Sequence, residues 1–286
     1  MIQQADTAMY RAKAQGRNGI CFYDPTMQAA ADKRLTLENE IRAAIAQSQF
    51  MLYYQPQVDA QGNVISAEAL IRWVHPVRNM ISPAEFIPVA EETQLILPIG
   101  AWVLHEACRQ IKAWDKEGRR IHHVAVNVSS KQFRQGGFVQ QVQQSLLDAG
   151  LSAERLVIEL TEGSVIEDID DTVAKMQALQ AMGVRISIDD FGVGYSSLSY
   201  LKSLPLSQLK IDQSFVRHYD DSNAAVIVET IIAMASSLGL DVIAEGVEAQ
   251  AQVDFLKAKG CLSYQGYFFS RPLPASEFSF HLHQRQ

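Results

Sequence analysis

The sequence predicts an α/β fold built on a parallel sheet, and three observations predict it. From residue 124 onward the chain repeats a strand-then-helix unit. The strands are apolar runs without alternation, such as Leu156–Ile158, as expected when helices cover both faces of a sheet. Finally, each of these strands ends on a polar residue, at intervals of roughly 20 to 35 residues, about one βα unit. This pattern allows either a closed α/β barrel or an open doubly wound sheet.

In chain order, residues 2–15 read as a helix stopped by Gly16, and Ile20–Tyr23 as a short strand. Both are too small to fold alone. Residues 27–48 form a long amphipathic connector helix, with Leu35, Leu37, Ile41, Ala44 and Ile45 expected on one face. Met51–Val58 and Val64–Val74 are strand-like around a Gly62-Asn63 turn, which predicts a hairpin. Pro83–Thr93 and Ile99–Glu117 are helices, the first with Ser82 as a candidate N-cap and Pro83 at its first turn. The repeats follow. Strands are expected at Val124–Val128, Leu156–Leu160, Val184–Ile188, Leu209–Ile211 and Val242–Ala244. Helices are expected at Phe138–Leu147, Ile169–Met182, Ala224–Leu238 and Ala251–Lys259.

With 286 residues the chain can remove about three quarters of its unfolded surface from water, so neither disulfides nor a structural metal is needed for folding. The net charge of −7 argues against a general nucleic-acid binder, which needs a basic face. Cys21, Cys108 and Cys261 lie far apart, without zinc or redox spacing, and suit a reducing compartment. No apolar run is long enough to span a bilayer, and the first residues lack a basic and an apolar region of the secretory type. The expectation is a cytoplasmic domain, one that could still be part of a membrane-anchored parent.

The strand ends carry the chemistry. Asn127 closes the first repeat strand, Glu159 the second, and the adjacent Asp189 and Asp190 the third. Lys210 and Asp212 follow in the fourth, and Glu245 closes the fifth. In a closed barrel these positions converge on one mouth, where barrel active sites lie. Converging carboxylates and an amide, without His or Cys, select hard cations such as Mg²⁺ or Mn²⁺. Adjacent aspartates could serve two ions, the arrangement used for phosphoryl transfer. Lys210 could orient a nucleophile or neutralise developing charge. A salt-bridge network centred on Lys210 is the competing reading, but one lysine cannot balance so many acids.

The motifs YYQP (53–56), EALIRW (68–73), PAEFIPVAEE (83–92), NVS (127–129), ELTE (159–162), DDFGVGYSSLSYL (189–201), KID (210–212), AEGVE (244–248) and QGYFFSRP (265–272) occur in one order. Together they resemble the EAL family of cyclic di-GMP phosphodiesterases over residues 34 to 280. The resemblance implies a (β/α)₈ barrel with one antiparallel strand near its start, and hydrolysis of cyclic di-GMP to linear pGpG with two Mg²⁺ or Mn²⁺ ions. It implies metal roles for Glu68, Asn127, Glu159, Asp189 and Asp190, with Asp189 shared. It implies water-directed roles for Glu245 and Lys210, with Glu248 beside them. Arg72, Gln55, Asp212 and Gln265 match substrate-lining positions, although Pro56 after Gln55 also suits a turn-stabilising role. Phe191, Gly192, Gly194, Ser196 and Ser197 match a regulatory loop, anchored in the family by the counterpart of Glu162. A homodimer is likewise implied.

The start of the chain, ADTAMYRAKAQGRNGICFY, resembles the last helix and strand of a GGDEF domain, without that domain's signature. The expected organisation is therefore a GGDEF remnant at 1–26, a connector at 27–48 and an EAL barrel at 49–286. Upstream GGDEF and sensor parts belong to the expected parent. One departure is Asn79, where the family usually has Gly in a turn; Asn tolerates left-handed backbone angles. The alternative to an enzyme is a cyclic di-GMP receptor with little or no catalysis, which would not need the full set of acids.

Overall fold

The computed structural model of the chain describes residues 25–166, 169–193 and 201–280. The expected helix at 2–15 and strand at 20–23 lie outside the described residues. So does the segment holding Gly194, Ser196 and Ser197.

The chain divides into two compact units, residues 51–72 with 97–286, and residues 1–50 with 73–96. The larger unit is organised by a single sheet. Its strands are β1 (Phe50–Asp59), β2 (Val64–His75), β4 (Val124–Asn127), β5 (Leu156–Thr161), β6 (Arg185–Phe191), β7 (Gln208–Ile211), β8 (Asp241–Ala244) and β9 (Ser263–Gln265). The β1–β2 pairing closes these eight into a barrel. β2, β4, β5, β6, β7, β8 and β9 run parallel. β1 is antiparallel to β9, with Gln57 opposite Gln265. The turn after β1 is tied by Asp59, whose carboxylate accepts from the Gln61 and Asn63 backbone amides at 2.9 Å.

Burial on both faces of the sheet explains why these strands show no polar–apolar alternation. Val124, Val126, Val157, Ile158, Leu160, Ile186, Leu209, Ile211 and Ile243 are buried throughout. Helices follow the strands at Phe138–Ala149, Ile169–Met182, Ser222–Leu238 and Gln250–Ala258. The helices Phe138–Ala149 and Ser222–Leu238 end on Gly150 and Gly239 in the left-handed conformation. Three short helices, Ser130–Phe133, Glu162–Ile166 and Gln213–Arg217, occupy loops in which the sequence predicts no element. Among the described residues no helix is long and apolar enough to cross a membrane.

The smaller unit pairs the helix Pro25–Ala46 with the helix Pro83–Glu92. Leu37, Ile41 and Ala44 are buried at i, i+4 and i+7. Leu35, expected on the same face, is 59% exposed, because two residues back is about 200° of helix rotation. Phe50, Trp73 and Phe86 form an aromatic core, with Trp73 and Phe86 edge to face at 5.5 Å. A short strand β3 (Asn79–Ile81) pairs with Trp73–His75. Asn79 adopts φ +59°, the left-handed angle its turn requires. Ser82 occupies the cap position with extended angles but makes no side-chain capping bond; Pro83 supplies the start instead.

The amino-terminal rim of the barrel is held by charge. Arg185 at the start of β6 donates to Asp241 at the start of β8 at 2.6 Å. Its other amino nitrogen lies 3.4 Å from Nδ1 of His123, which directly precedes β4. His123 is buried, and its Nε2 has no hydrogen-bond partner among the described residues. Burial, then the nearby Arg185, His122 and Arg155, hold the imidazole down to about 3. The unfolded chain would take up a proton near pH 6.5 that the folded chain refuses. This contribution to stability is therefore complete above pH 6.5 and is lost as pH falls toward 3. Between pH 7 and 5 it should amount to about 2 kcal/mol. Urea denaturation of the native chain and of His123→Gln at both pH values tests this. The native chain should lose about 2 kcal/mol more than the variant on acidification.

Candidate functional site

At the opposite, carboxyl-terminal ends of the parallel strands, Lys210 of β7 points into the barrel and has no solvent exposure. Its Nζ lies 2.6 Å from Glu245, 2.8 Å from Glu159, 3.2 Å from Asp189 and 3.6 Å from Glu68. Glu68 within β2, Glu159 and Asp189 near the ends of β5 and β6, and Glu245 directly after β8 thus deliver four carboxylates to one ammonium. Burial alone would strip its proton, but Asp189, Glu159, Glu245 and Glu68 hold the ammonium well above the usual lysine range.

The acids outnumber their cation, and their protonation reflects it. Burial pushes the Glu159 carboxyl well above the ordinary range despite Lys210, and Glu68, Asp189 and Glu245 add to the push. Glu245 is raised to about 8, first by burial and then, against Lys210, by Asp189 and Glu68. Asp190 is raised to about 6 by burial and by the neighbouring Asp189 and Asp212. Ligand oxygens of Asp189, Asp190 and Glu245 lie within 4.8 Å of one another. Glu159 Oε1 is buried without a hydrogen-bond partner among the described residues. An excess of clustered carboxylates with a free buried oxygen fits one or more hard divalent cations, which would reverse these upward shifts. Asn127 at the end of β4 is the exception in orientation. Its amide nitrogen donates to Glu68 Oε1 at 2.5 Å, so the amide must turn over before its oxygen could ligate a cation.

Glu68 is further held by Gln265, whose Nε2 donates to Glu68 Oε2 at 2.5 Å and to Gln55 Oε1 at 3.1 Å. Gln55 sits within β1, so Pro56 marks no turn there, and its side chain donates to the Ser270 carbonyl at 3.1 Å. Asp212 caps the helix Gln213–Arg217, accepting from the Ser214 amide at 3.0 Å and from the Ser214 hydroxyl. Glu248 is half exposed at the rim, 3.2 Å from Arg217. Arg72 is half-buried, donates to the Ile71 carbonyl and lies 5.5 Å from the Tyr53 ring centre. Glu162 is buried and accepts from the Gly192 backbone amide at 3.2 Å. Phe191, the last residue of β6, is buried and pairs with Ile211. Gly192 has φ +98°, and a Cβ there would approach Phe215 and Ile231 to 3.1 and 3.2 Å.

A cavity of about 220 Å³ opens beside these groups. Gln55, Glu68, Asp189, Glu245, Glu248 and Gln265 line it, as do Leu70, Gln213, Arg217, Gly246, Gly266 and Tyr267. The sequence reading names the first six and misses the side chains of Leu70, Gln213, Arg217 and Tyr267. Arg217 and Gln213 come from a short helix too brief to show a period. Tyr267 lies inside a recognised motif, and its ring carries the Arg271 guanidinium at 4.4 Å. Gly266 is required by close approach, since a Cβ would fall 2.0 Å from the Val247 carbonyl oxygen.

An acidic, oxygen-donor pocket at the carboxyl-terminal mouth of an α/β barrel defines the class of protein. The chain belongs to the EAL domain family, whose sequence profile matches residues 38–272. It is 48% identical over 279 residues to the bifunctional diguanylate cyclase/cyclic di-GMP phosphodiesterase MucR of Pseudomonas aeruginosa, covering 97% of this chain and 41% of MucR. It is 41% identical over 276 residues to the cyclic di-GMP phosphodiesterase NbdA of the same organism, covering 96% of this chain and 35% of NbdA. The chain thus spans well under half of these relatives. A solved structure of the PaMucR phosphodiesterase in complex with c-di-GMP superimposes with a TM-score of 0.82 at 46% identity, covering 85% of this chain and 99% of that one.

Asp190 has φ +54°, a region unfavourable for a non-glycine residue, and its charge is repelled by its neighbours. Asp190→Asn removes the charge and keeps a side chain that tolerates this angle. In EDTA at pH 8 the variant should be more stable than the native chain by about 1 kcal/mol, read by chemical denaturation.

Proposed function

We propose that this chain is a metal-dependent phosphodiesterase that hydrolyses cyclic di-GMP to linear pGpG. The observation that supports this most is the gathering of Glu68, Glu159, Asp189 and Glu245 around the buried Lys210 at the barrel mouth. The names of MucR and NbdA, and the ligand of the PaMucR structure, indicate the substrate.

On this reading Glu68, Asn127, Glu159 and Asp189 would hold one divalent cation, and Asp189 and Asp190 the second. Bound cations of this kind polarise a phosphodiester and acidify water. The chain's own groups do the rest. Glu245, held 2.6 Å from Lys210, accepts a proton from the attacking water at a carboxylate oxygen and passes it to the leaving oxygen. Lys210 keeps its proton and orients both Glu245 and the nucleophile. The water oxygen bonds to phosphorus and one ribose 3′ oxygen leaves with a proton, giving a terminal 5′ phosphate. Arg72 and Gln55 hold the substrate, and Glu248 and Gln265 border the reacting end, with Asp212 fixing the loop that follows Lys210. Gly192, anchored by Glu162, ties that chemistry to the loop through Phe191, Gly194, Ser196 and Ser197. We further assign residues 1–26 to the end of a GGDEF domain and 27–48 to a connector. The bifunctional name of MucR, aligned over 97% of this chain, supports this and a parent with an upstream cyclase module. A homodimer, and a cytoplasmic domain within a membrane-anchored parent, complete the proposal.

Chromatography of cyclic di-GMP incubated with the purified chain tests the proposal. Linear pGpG should form with Mg²⁺ or Mn²⁺ and not with EDTA. Glu68→Ala and Lys210→Ala should each lower kcat by at least about a hundredfold. Binding of cyclic di-GMP without turnover under every metal condition would make the chain a receptor instead.

A further inference from the structure

Barrel interiors are usually filled by branched apolar side chains. Here one stretch of the interior, below the candidate site, is polar. Gln57 and Ser66 are both fully buried, one strand position pair deeper than Gln55 and Glu68. Side chains two apart on a strand share a face, so Gln57 lies on the face of Gln55, and Ser66 on that of Glu68. Ser66 Oγ donates to Gln57 Oε1 at 2.6 Å. Gln57 Nε2 donates to Gln265 Oε1 at 2.9 Å, and Gln265 Nε2 donates to Glu68 Oε2 at 2.5 Å. Four side chains from three strands thus form one buried line that ends on the carboxylate.

The direction of this line is dictated from its charged end. A carboxylate only accepts, so Gln265 must turn its amino group toward Glu68. Its oxygen then faces Gln57, which must present its own amino group there. The Gln57 oxygen in turn faces Ser66, whose hydroxyl must donate. Reversing any amide would set oxygen against oxygen at a buried contact, which is costly where no water can intervene.

We propose that Ser66 and Gln57 are positioning residues that act through Gln265 to lock the orientation of the Glu68 carboxylate for cation binding. The inference rests on the reading of Glu68 as a metal ligand given above. Partners of this outer kind set the geometry and basicity of a ligand, and losing one commonly weakens metal binding about tenfold or more.

Calorimetric titration of the substrate-free chain with Mn²⁺ tests the line, alongside thermal unfolding in EDTA. Ser66→Ala and Gln57→Met should each weaken Mn²⁺ binding about tenfold. Ser66→Thr, which restores a hydroxyl, should recover most of the affinity. In turnover assays, raising Mn²⁺ should return the kcat of Ser66→Ala to near the native value, with KM for cyclic di-GMP unchanged. Combining Ser66→Ala with Gln57→Met should cost little more than Gln57→Met alone, because both break one line. Native Mn²⁺ affinity in Ser66→Ala, whatever its melting temperature, would overturn the proposal and leave the proposed function standing. If Gln57→Met does not fold, the Ser66→Ala and Ser66→Thr pair still decides. Absence of Mn²⁺ binding in the native chain would overturn the proposed function together with this inference.

Discussion

A lysine ammonium sealed from solvent persists only where carboxylates replace the water it has lost. Lys210 meets that demand with Glu68, Glu159, Asp189 and Glu245, drawn from four different strands. The requirement runs both ways, since carboxylates this close together are tolerable only around a positive centre. The placement of these four acids is therefore tied to one residue. The arrangement stops short of neutrality. Burial first, and the neighbouring carboxylates after it, raise the Glu159, Glu245 and Asp190 carboxyls. A pocket built this way can relieve its excess negative charge by taking up protons or further cations. The reading of Lys210 as the centre of a network and the reading of the site as a metal centre are thus two descriptions of the same residues.

The two ends of the barrel divide the work. At the amino-terminal rim, Arg185, Asp241 and His123 fasten β6, β8 and the start of β4 to one another. At the carboxyl-terminal mouth the same strands present groups whose mutual repulsion costs stability.

Much of this was legible in the sequence, for identifiable reasons. Strand-end polar residues at βα intervals placed Asn127, Glu159, Asp189 and Glu245 at one mouth before any contact was known. The Gly62-Asn63 turn announced the hairpin, and Ile169–Met182 was delimited to the residue. The losses have a common cause. Ser66 and Gln57 are 9 residues apart, and Gln57 and Gln265 are 208 apart. No local pattern encodes such a line, and an isolated Gln in a strand reads as exposed. Arg217 and Gln213 lie on a helix of five residues, too short for periodicity. Leu35 is apolar but lies about 200° around the helix from Leu37, so composition alone does not place it on the buried face. Ser82 has the right type and backbone for a cap but lacks the bond, which depends on side-chain direction alone.

The pairing of β6 with β7 skips between Ile188 and Phe191, and Asp190 within that gap takes a left-handed backbone angle. Regular strands alternate, sending neighbouring side chains to opposite faces. Here alternation breaks at the last moment, and Asp189 and Asp190 bring their oxygens to the same place as Glu245. A barrel of eight strands is ordinarily limited to one inward donor per strand end in the topmost layer. By slipping a single residue, this one gains an extra donor without an extra strand.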